Sequence, residues 1–360
     1  MSMKKNKKRW PLILLVFLLV VGSGLLFAYQ QFNQLNNPIT NTSEEVSFTV
    51  ASGTSVSKLL DQLEEKEIIK NAMASKIYLQ LNPVDVQLKA GDFVIDKAWS
   101  LEEILLHMSD GKNIVVDTFR LTFIDGQWAK DYAMVIENHF GYSQEEVLEL
   151  WNDRDYVTTL IDTYEVLTPE ILSEDVEVLL EGYLAPNTYE FYKDASIQDI
   201  TKRLLDQSEQ FYLNNKALFD ASNLSIHEVF NLSSIVQSEA AHLEDMKNVA
   251  SVFFNRLELP MRLESSVTVC YALGEYNNWQ ECERNVSIQS PYNTYVNDGL
   301  PIGPIANPGE NALSSVLSPN ETDYYFFLTE MFGETKGTFH YSQTYAQHSQ
   351  LVNQYLRGNQ

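Results

Sequence analysis

Residues Trp10 to Tyr29, WPLILLVFLLVVGSGLLFAY, form an apolar run broken only by Pro11, Gly22, Ser23 and Gly24, and behind it lies MSMKKNKKR, with five positive charges in nine residues. A bilayer core requires about 20 apolar residues as a helix, so the run predicts a transmembrane helix over 10–29. Basic residues on its N-terminal flank predict residues 1–9 as a cytoplasmic tail and everything after Tyr29 as external. The rival reading is a cleaved signal peptide, whose apolar region is shorter and ends at a small-residue site. Ser23 and Ala28 do not form an A-x-A site, which favours a retained, single-pass anchor in the cell membrane.

With the five flanking charges set aside from 25 Lys+Arg, 20 basic residues face 49 acidic ones. Such a surface repels phosphate backbones and excludes nucleic acid as a partner. Two cysteines, Cys270 and Cys282, lie on the external side, where a disulfide can persist. Neither they nor the six scattered histidines form an H-E-x-x-H or C-x-x-C pattern, so no metal and no cofactor is expected. No G-x-S-x-G elbow surrounds Ser233 and Ser234, and Gly299, Gly303 and Gly309 do not stand between a strand and a helix as a phosphate loop requires.

Beyond the apolar run, residues 30–45 (QQFNQLNNPITNTSEE) have little to bury and read as a linker. Residues 46–113 read as a small domain: a strand at Val46–Val50, a helix at Ser57–Glu65, a strand at Leu88–Ile95 and a helix at Leu101–Met108, for which a strand-helix-helix-strand module fits. Residues 114–179 read as a connecting α/β region, with a β-rich run to Phe123, a turn at Asp125-Gly126 and helices at Trp128–His139 and Ser143–Trp151. A larger helix-rich domain is expected over 180–360, with helices at Ile197–Asn214, Ser225–Ala240 and Leu243–Leu257 and a Pro/Gly-rich stretch of loops from Tyr292 to Gly309. Leu180 to Phe191 (LEGYLAPNTYEF) follows neither helix nor strand period. The fold class is α+β.

One residue breaks the pattern. Leu232, Ile235, Val236 and Glu239 fall at i, i+3, i+4 and i+7, so Glu239 points the way of the residues that bury. Desolvation disfavours the charged carboxylate and holds its proton toward neutral pH, which is the state a general acid requires in glycoside cleavage. The same position also fits a carboxylate at a helix end, solvated or bonded to a backbone group.

Three stretches carry a resemblance: LEGYLAPNTYEF (180–191), SSIVQSEA with VASVFFNRL (233–240 and 249–257), and SPYNTY with GLPIGPIANPG (290–295 and 299–309). In that order, the chain resembles the YceG-like (MltG) family of endolytic murein transglycosylases. Weaker signals at Gly53-Thr54-Ser55, Ala90-Gly91 and Gly111-Lys112 are similar to the family's LysM-like domain. The resemblance implies a LysM-like small domain followed by a lytic transglycosylase-like catalytic domain. It implies peptidoglycan glycan strands as substrate, cut at the β-1,4 MurNAc–GlcNAc bond to leave 1,6-anhydro ends, and cell-wall synthesis or division proteins as partners. Glu239 is then general acid and afterwards base, since the sugar's own 6-hydroxyl attacks and no second carboxylate has to activate water. Gln237 stands where relatives carry an acid, and Ser266 where they carry an aspartate. The alternative reading, a wall-binding scaffold without catalysis, rests on those two residues. For substrate contact the expected residues are Glu181, Tyr183, Tyr189, Ser266, Thr268, Tyr292, Asn293 and Tyr295, which combine ring faces with hydroxyl and amide donors. For these residues loop packing is the competing role. A Cys270–Cys282 disulfide would staple a loop beside the cleft, and two free buried thiols are the other reading.

Overall fold

A computed structural model describes residues 10–274, 278–330 and 335–357 and divides the chain into two compact units, 1–117 and 118–360. In the first unit α1 covers Trp10–Asn33. The span expected over 10–29 is therefore helical, but the side chains of 10–13 and 25–29 lie outside the described residues, as does the expected cytoplasmic tail, 1–9. Among the described residues no helix is long and apolar enough to cross a membrane. The apolar side chains from Leu14 to Val21 are all exposed.

After the linker, β1 (Glu45–Val50), α2 (Val56–Glu65), α3 (Ala72–Leu81), β2 (Gly91–Asp96) and α4 (Leu101–His107) follow in order. The two strands pair antiparallel with Phe48 opposite Phe93. Strand alternation sends Phe48, Val50, Phe93 and Ile95 to one face, and the α2 stripe Leu59, Leu60 and Leu63 packs on it with Ile104 and Leu105 of α4. Ser55 caps α2, and Ser100 with Glu103 forms a capping box that starts α4.

The second unit opens with β3 (Thr118–Phe123), α5 (Ala129–Phe140), α6 (Gln144–Trp151) and α7 (Arg154–Ile161). Then come β4 (Asn187–Tyr192), α8 (Ile197–Asn214), α9 (Lys216–Ala221), α10 (Ile226–Glu239) and α11 (Leu243–Leu257). It closes with α12 (Ser266–Leu273), α13 (Trp279–Arg284), α14 (Glu310–Leu317), β5 (Phe326–Thr329), β6 (Phe339–Ser342) and α15 (Tyr345–Val352). β3 pairs antiparallel with β4, Leu121 opposite Tyr189, so residues on either side of position 180 share one sheet and one core. β4 is a strand the sequence reading left without a period. Its alternation, Tyr189 and Phe191 in and Thr188 and Glu190 out, spans only six residues behind Pro186.

Helix α10 is the centre of this unit. Its apolar residues Leu232, Ile235 and Val236 are fully buried, but so are Asn231, Ser233 and Ser234 on its other sides. It is thus enclosed all round rather than along one stripe, and packs on α11, α12 and α14. Its polar side ties down the Pro/Gly-rich loop: Asn231 Nδ2 donates to the Pro301 carbonyl (2.6 Å), and the Ile305 N–H donates to Ser234 Oγ (2.9 Å). Cys270 and Cys282 form a disulfide that joins α12 to α13.

Candidate active site

Glu239 is the last residue of α10, with Ala240 as the C-cap. The residue ends the helix, as the second sequence reading has it, but its carboxyl is desolvated and bonded to a side chain rather than solvated or bonded to a backbone group, while the residue keeps partial exposure. Burial raises the pKa of its carboxyl above the ordinary value, opposed by the Ser265 hydroxyl and the Arg256 charge and aided by Glu283. The negative end of the helix dipole acts in the same direction as burial. An acid placed here keeps its proton to higher pH than an exposed glutamate does, in a residue that is not fully enclosed.

Ser265 Oγ donates to Glu239 Oε1 at 2.5 Å. The preceding residue, Glu264, has a φ of 48°, a left-handed conformation that a non-glycine residue adopts only when its surroundings impose it. Those surroundings are specific. Its N–H donates to the Thr294 carbonyl (3.2 Å), and the Ser265 N–H donates to Thr294 Oγ1 (3.0 Å). Thr268 Oγ1 donates to the Ser265 carbonyl at 2.7 Å and lies 3.0 Å from Thr294 Oγ1. Upstream, the buried Arg256 of α11 donates through Nη1 to the Leu263 carbonyl and through Nε to the Tyr325 carbonyl, each at 2.6 Å, over the Phe326 ring. Arg256 therefore fixes the backbone that delivers Ser265 to Glu239 and places a positive charge near the carboxyl. The Tyr295 hydroxyl shares this field: burial first, then Glu239, Glu264 and Glu283, push it up to about 12, so it stays a donor at any physiological pH.

The expected contact residues divide. Thr268 and Tyr295 belong with Glu239, and Ser266 is the first residue of α12, next to the Ser265 that holds the acid. Thr268 and the remaining five are buried, and their polar atoms bond to protein. Tyr183 stacks on Phe230 with its hydroxyl 2.8 Å from His227 Nδ1; Tyr189 donates to the Ala185 carbonyl (2.7 Å). Tyr292 accepts from the Glu177 N–H (3.0 Å), and Asn293 Nδ2 donates to the carbonyls of Val286 and Ile288. Glu181, 2% exposed, receives the Ala129 N–H at the start of α5 (2.8 Å), Asn307 Nδ2 (3.1 Å) and the Tyr271 hydroxyl (3.3 Å). Burial raises Glu181 to about 8, against the lowering effect of the Ala129 N–H and Tyr271.

Gln237, two residues before the acid, has both ends of its amide engaged. Nε2 donates to Asp125 Oδ2 (3.1 Å), and Oε1 accepts from the Gly309 N–H (3.0 Å). Position 237 thus joins the 125–126 turn to the end of the Pro/Gly-rich loop. Sequence reasoning missed Arg256, Ser265, Thr294 and Asn307, although Arg256, Thr294 and Asn307 lie inside the quoted motifs. A buried arginine in VASVFFNRL and a serine just before Ser266 carried no periodic signal of their own. Among the described residues no group of three or more His, Cys, Asp or Glu side chains could hold a metal ion.

The sequence model of the YceG-like family matches residues 48–354. An endolytic murein transglycosylase of Bacillus subtilis is 30% identical over 341 residues, covering 94% of this chain and 91% of that protein. An endolytic murein transglycosylase of Streptococcus pneumoniae is 26% identical over 366 residues, covering 97% of this chain and 65% of its own length. A crystal structure of a YceG-like protein from Listeria monocytogenes superimposes with a TM-score of 0.59 at 31% identity, over 86% of this chain and 100% of that one. With a family match over residues 48–354 and a relative 30% identical over 94% of its length, this chain belongs to the YceG-like family.

Proposed function

We propose that this protein is an endolytic murein transglycosylase, with Glu239 as its acid and base. The observation that carries the reading is the desolvated Glu239 carboxyl at a helix end, held by Ser265 in a residue that keeps partial exposure. The names of the B. subtilis and S. pneumoniae relatives support the same chemistry. Protonated Glu239 donates to the oxygen of the β-1,4 bond between MurNAc and GlcNAc as that bond breaks. The MurNAc 6-hydroxyl then attacks the anomeric carbon, and the carboxylate takes its proton, which regenerates the acid without consuming water. Positive charge at the anomeric carbon builds up within the field of Glu264 and Glu283, the acids that also act on Tyr295.

The α1 segment anchors the enzyme as a single membrane pass with its N-terminus in the cytoplasm, and the bilayer is what covers the exposed side chains from Leu14 to Val21. The β1-α2-α3-β2 unit is read as the LysM-like domain. Cutting strands near the membrane would end their elongation, beside the synthesis or division proteins. The test is mass analysis of peptidoglycan digested by the purified chain. Release of 1,6-anhydro ends, reduced at least about 1,000-fold in Glu239→Gln, is the expected result. Glycan binding without anhydro product at any pH would make the protein a scaffold instead.

A further inference from the structure

A cavity of about 340 Å³ lies between the β5–β6 hairpin and α15, on a part of the second unit that the chemistry above does not use. One wall is the stacked pair Tyr324 and Tyr341, with ring centroids 5.4 Å apart and planes 21° apart. The Tyr341 hydroxyl donates to Asp245 Oδ1 of α11 at 3.0 Å, so that ring is held in place before any ligand arrives. The opposite wall carries amides. Gln347, Gln350 and Gln354 recur at helical spacing along one side, and Gln343 precedes them. Gln347 Oε1 caps α15 by accepting from the N–H groups of Gln343 and Thr344, and the side chains of Gln343, Gln350 and Gln354 have no hydrogen bond within the described residues.

Ser342 completes the lining. It is 4% exposed, and its Oγ has no hydrogen-bond partner. A buried hydroxyl left without a partner is unfavourable, and a ligand in this cavity would supply one. No lining residue carries a charge among the described residues, so an anion would find no cation here. Ring faces, planar amides that both donate and accept, and a lone hydroxyl match a neutral, hydroxyl-rich and acetamido-bearing ligand. One wall of the cavity lies close in sequence to the acid's support. Tyr324 on its wall is followed by Tyr325, whose carbonyl Arg256 holds, and by Phe326 beneath the Arg256 guanidinium. At about 3.3 Å per extended residue, this step covers only about 7 Å.

We propose that this cavity is a second saccharide subsite that takes the neutral N-acetylated β-1,4-linked backbone of a glycan strand, away from the bond being cut. The choice of ligand class rests on the glycan reading of the chain, and the location does not. The experiment uses the full chain carrying Glu239→Gln, titrated with chitohexaose, a β-1,4-linked N-acetylglucosamine hexamer. Binding is read as hydrogen-exchange protection over 339–352. Protection is expected there, and its midpoint should rise about 10-fold in a Gln343→Ala/Gln350→Ala/Gln354→Ala variant. Ser342→Ala should raise it about 5-fold while its melting temperature stays the same or increases, because a hydroxyl that bonds nothing in the free protein has been removed. A purely structural role for Ser342 would lower the melting temperature and leave the midpoint alone. No protection, or unchanged midpoints in both variants, overturns the subsite. Protection by a free stem pentapeptide, lost in the same variants, overturns the saccharide assignment. Neither readout requires cleavage, so failure of the parent to release anhydro ends would count against the catalytic reading alone.

Discussion

Ser265→Ala isolates the contact that sets the state of Glu239. The Ser265 hydroxyl donates to the carboxyl at 2.5 Å and favours its charged form, while burial favours the protonated one. Hydrogen bonds to charged groups contribute about 1.5–3 kcal/mol, and about 1.4 kcal/mol corresponds to one pH unit. Glu239 keeps partial exposure, so water replaces some of the lost donor and the lower end of the range applies. The sign follows from the acid's role. In the proposed role Glu239 reacts in its protonated form, so activity is lost as pH rises through its folded pKa; removing the donor raises that pKa further. The alkaline limb of the pH–rate profile should therefore move upward by about one pH unit. At the same time kcat should fall about 10-fold, because the carboxyl is no longer aimed. The measurement is the rate of 1,6-anhydro end release from uncross-linked glycan strands between pH 4 and 9. A limb that stays in place or moves to lower pH would refute the reasoning, since Glu239 would then not be the titrating acid or Ser265 not its donor.

Arg256→Ala leaves the carbonyls of Leu263 and Tyr325 without their donor in a buried setting and should destabilise the fold by about 2–4 kcal/mol in urea titration, with a larger proportional loss of kcat than of substrate affinity. At Gly182, with φ of 89°, an added Cβ would come within 2.3 Å of Pro304 Cβ, so Gly182→Ala should cost about 2–4 kcal/mol by the same titration. Reduction of the Cys270–Cys282 disulfide, which joins residues 12 apart, should lower stability by about 2–3 kcal/mol and lower the thermal midpoint, as should Cys270→Ser/Cys282→Ser.

Helices α8 and α11 were legible to the residue, because long amphipathic periods with a serine cap or a leucine boundary leave few alternatives. The burial of the Glu239 carboxyl at the end of α10 was legible for the same reason: a carboxylate at i+7 of a buried series contradicts its neighbours. Around it, most of the expected contact residues turn out to have their polar atoms bonded within the protein. Tyr183 and Asn293 have the chemistry of sugar contacts, yet their polar groups are bonded to His227 and to the carbonyls of Val286 and Ile288. Which side of a loop a tyrosine or an asparagine faces depends on partners 40 or more residues away in one case and within the loop in the other, and neither leaves a period. Ser265 meets Glu239 only because Arg256, Glu264 and Thr294 bend the chain between them, and a positive φ at a glutamate has no signature in composition. The later elements α12 to α15, β5 and β6 were missed: each has eight residues or fewer, and, unlike the equally short α4 and α6, none was singled out by its apolar spacing.

The amide at position 237 has a corollary for how this site can vary. Its nitrogen faces the Asp125 carboxylate and its oxygen faces the Gly309 N–H. A carboxylate at 237 would keep the second contact and turn the first into a repulsion between two acids. Positions 125 and 237 are thus electrostatically matched, and exchange at one is tolerated only with neutralisation at the other. A homologue with an acid at 237 should carry at 125 a residue able to donate to it.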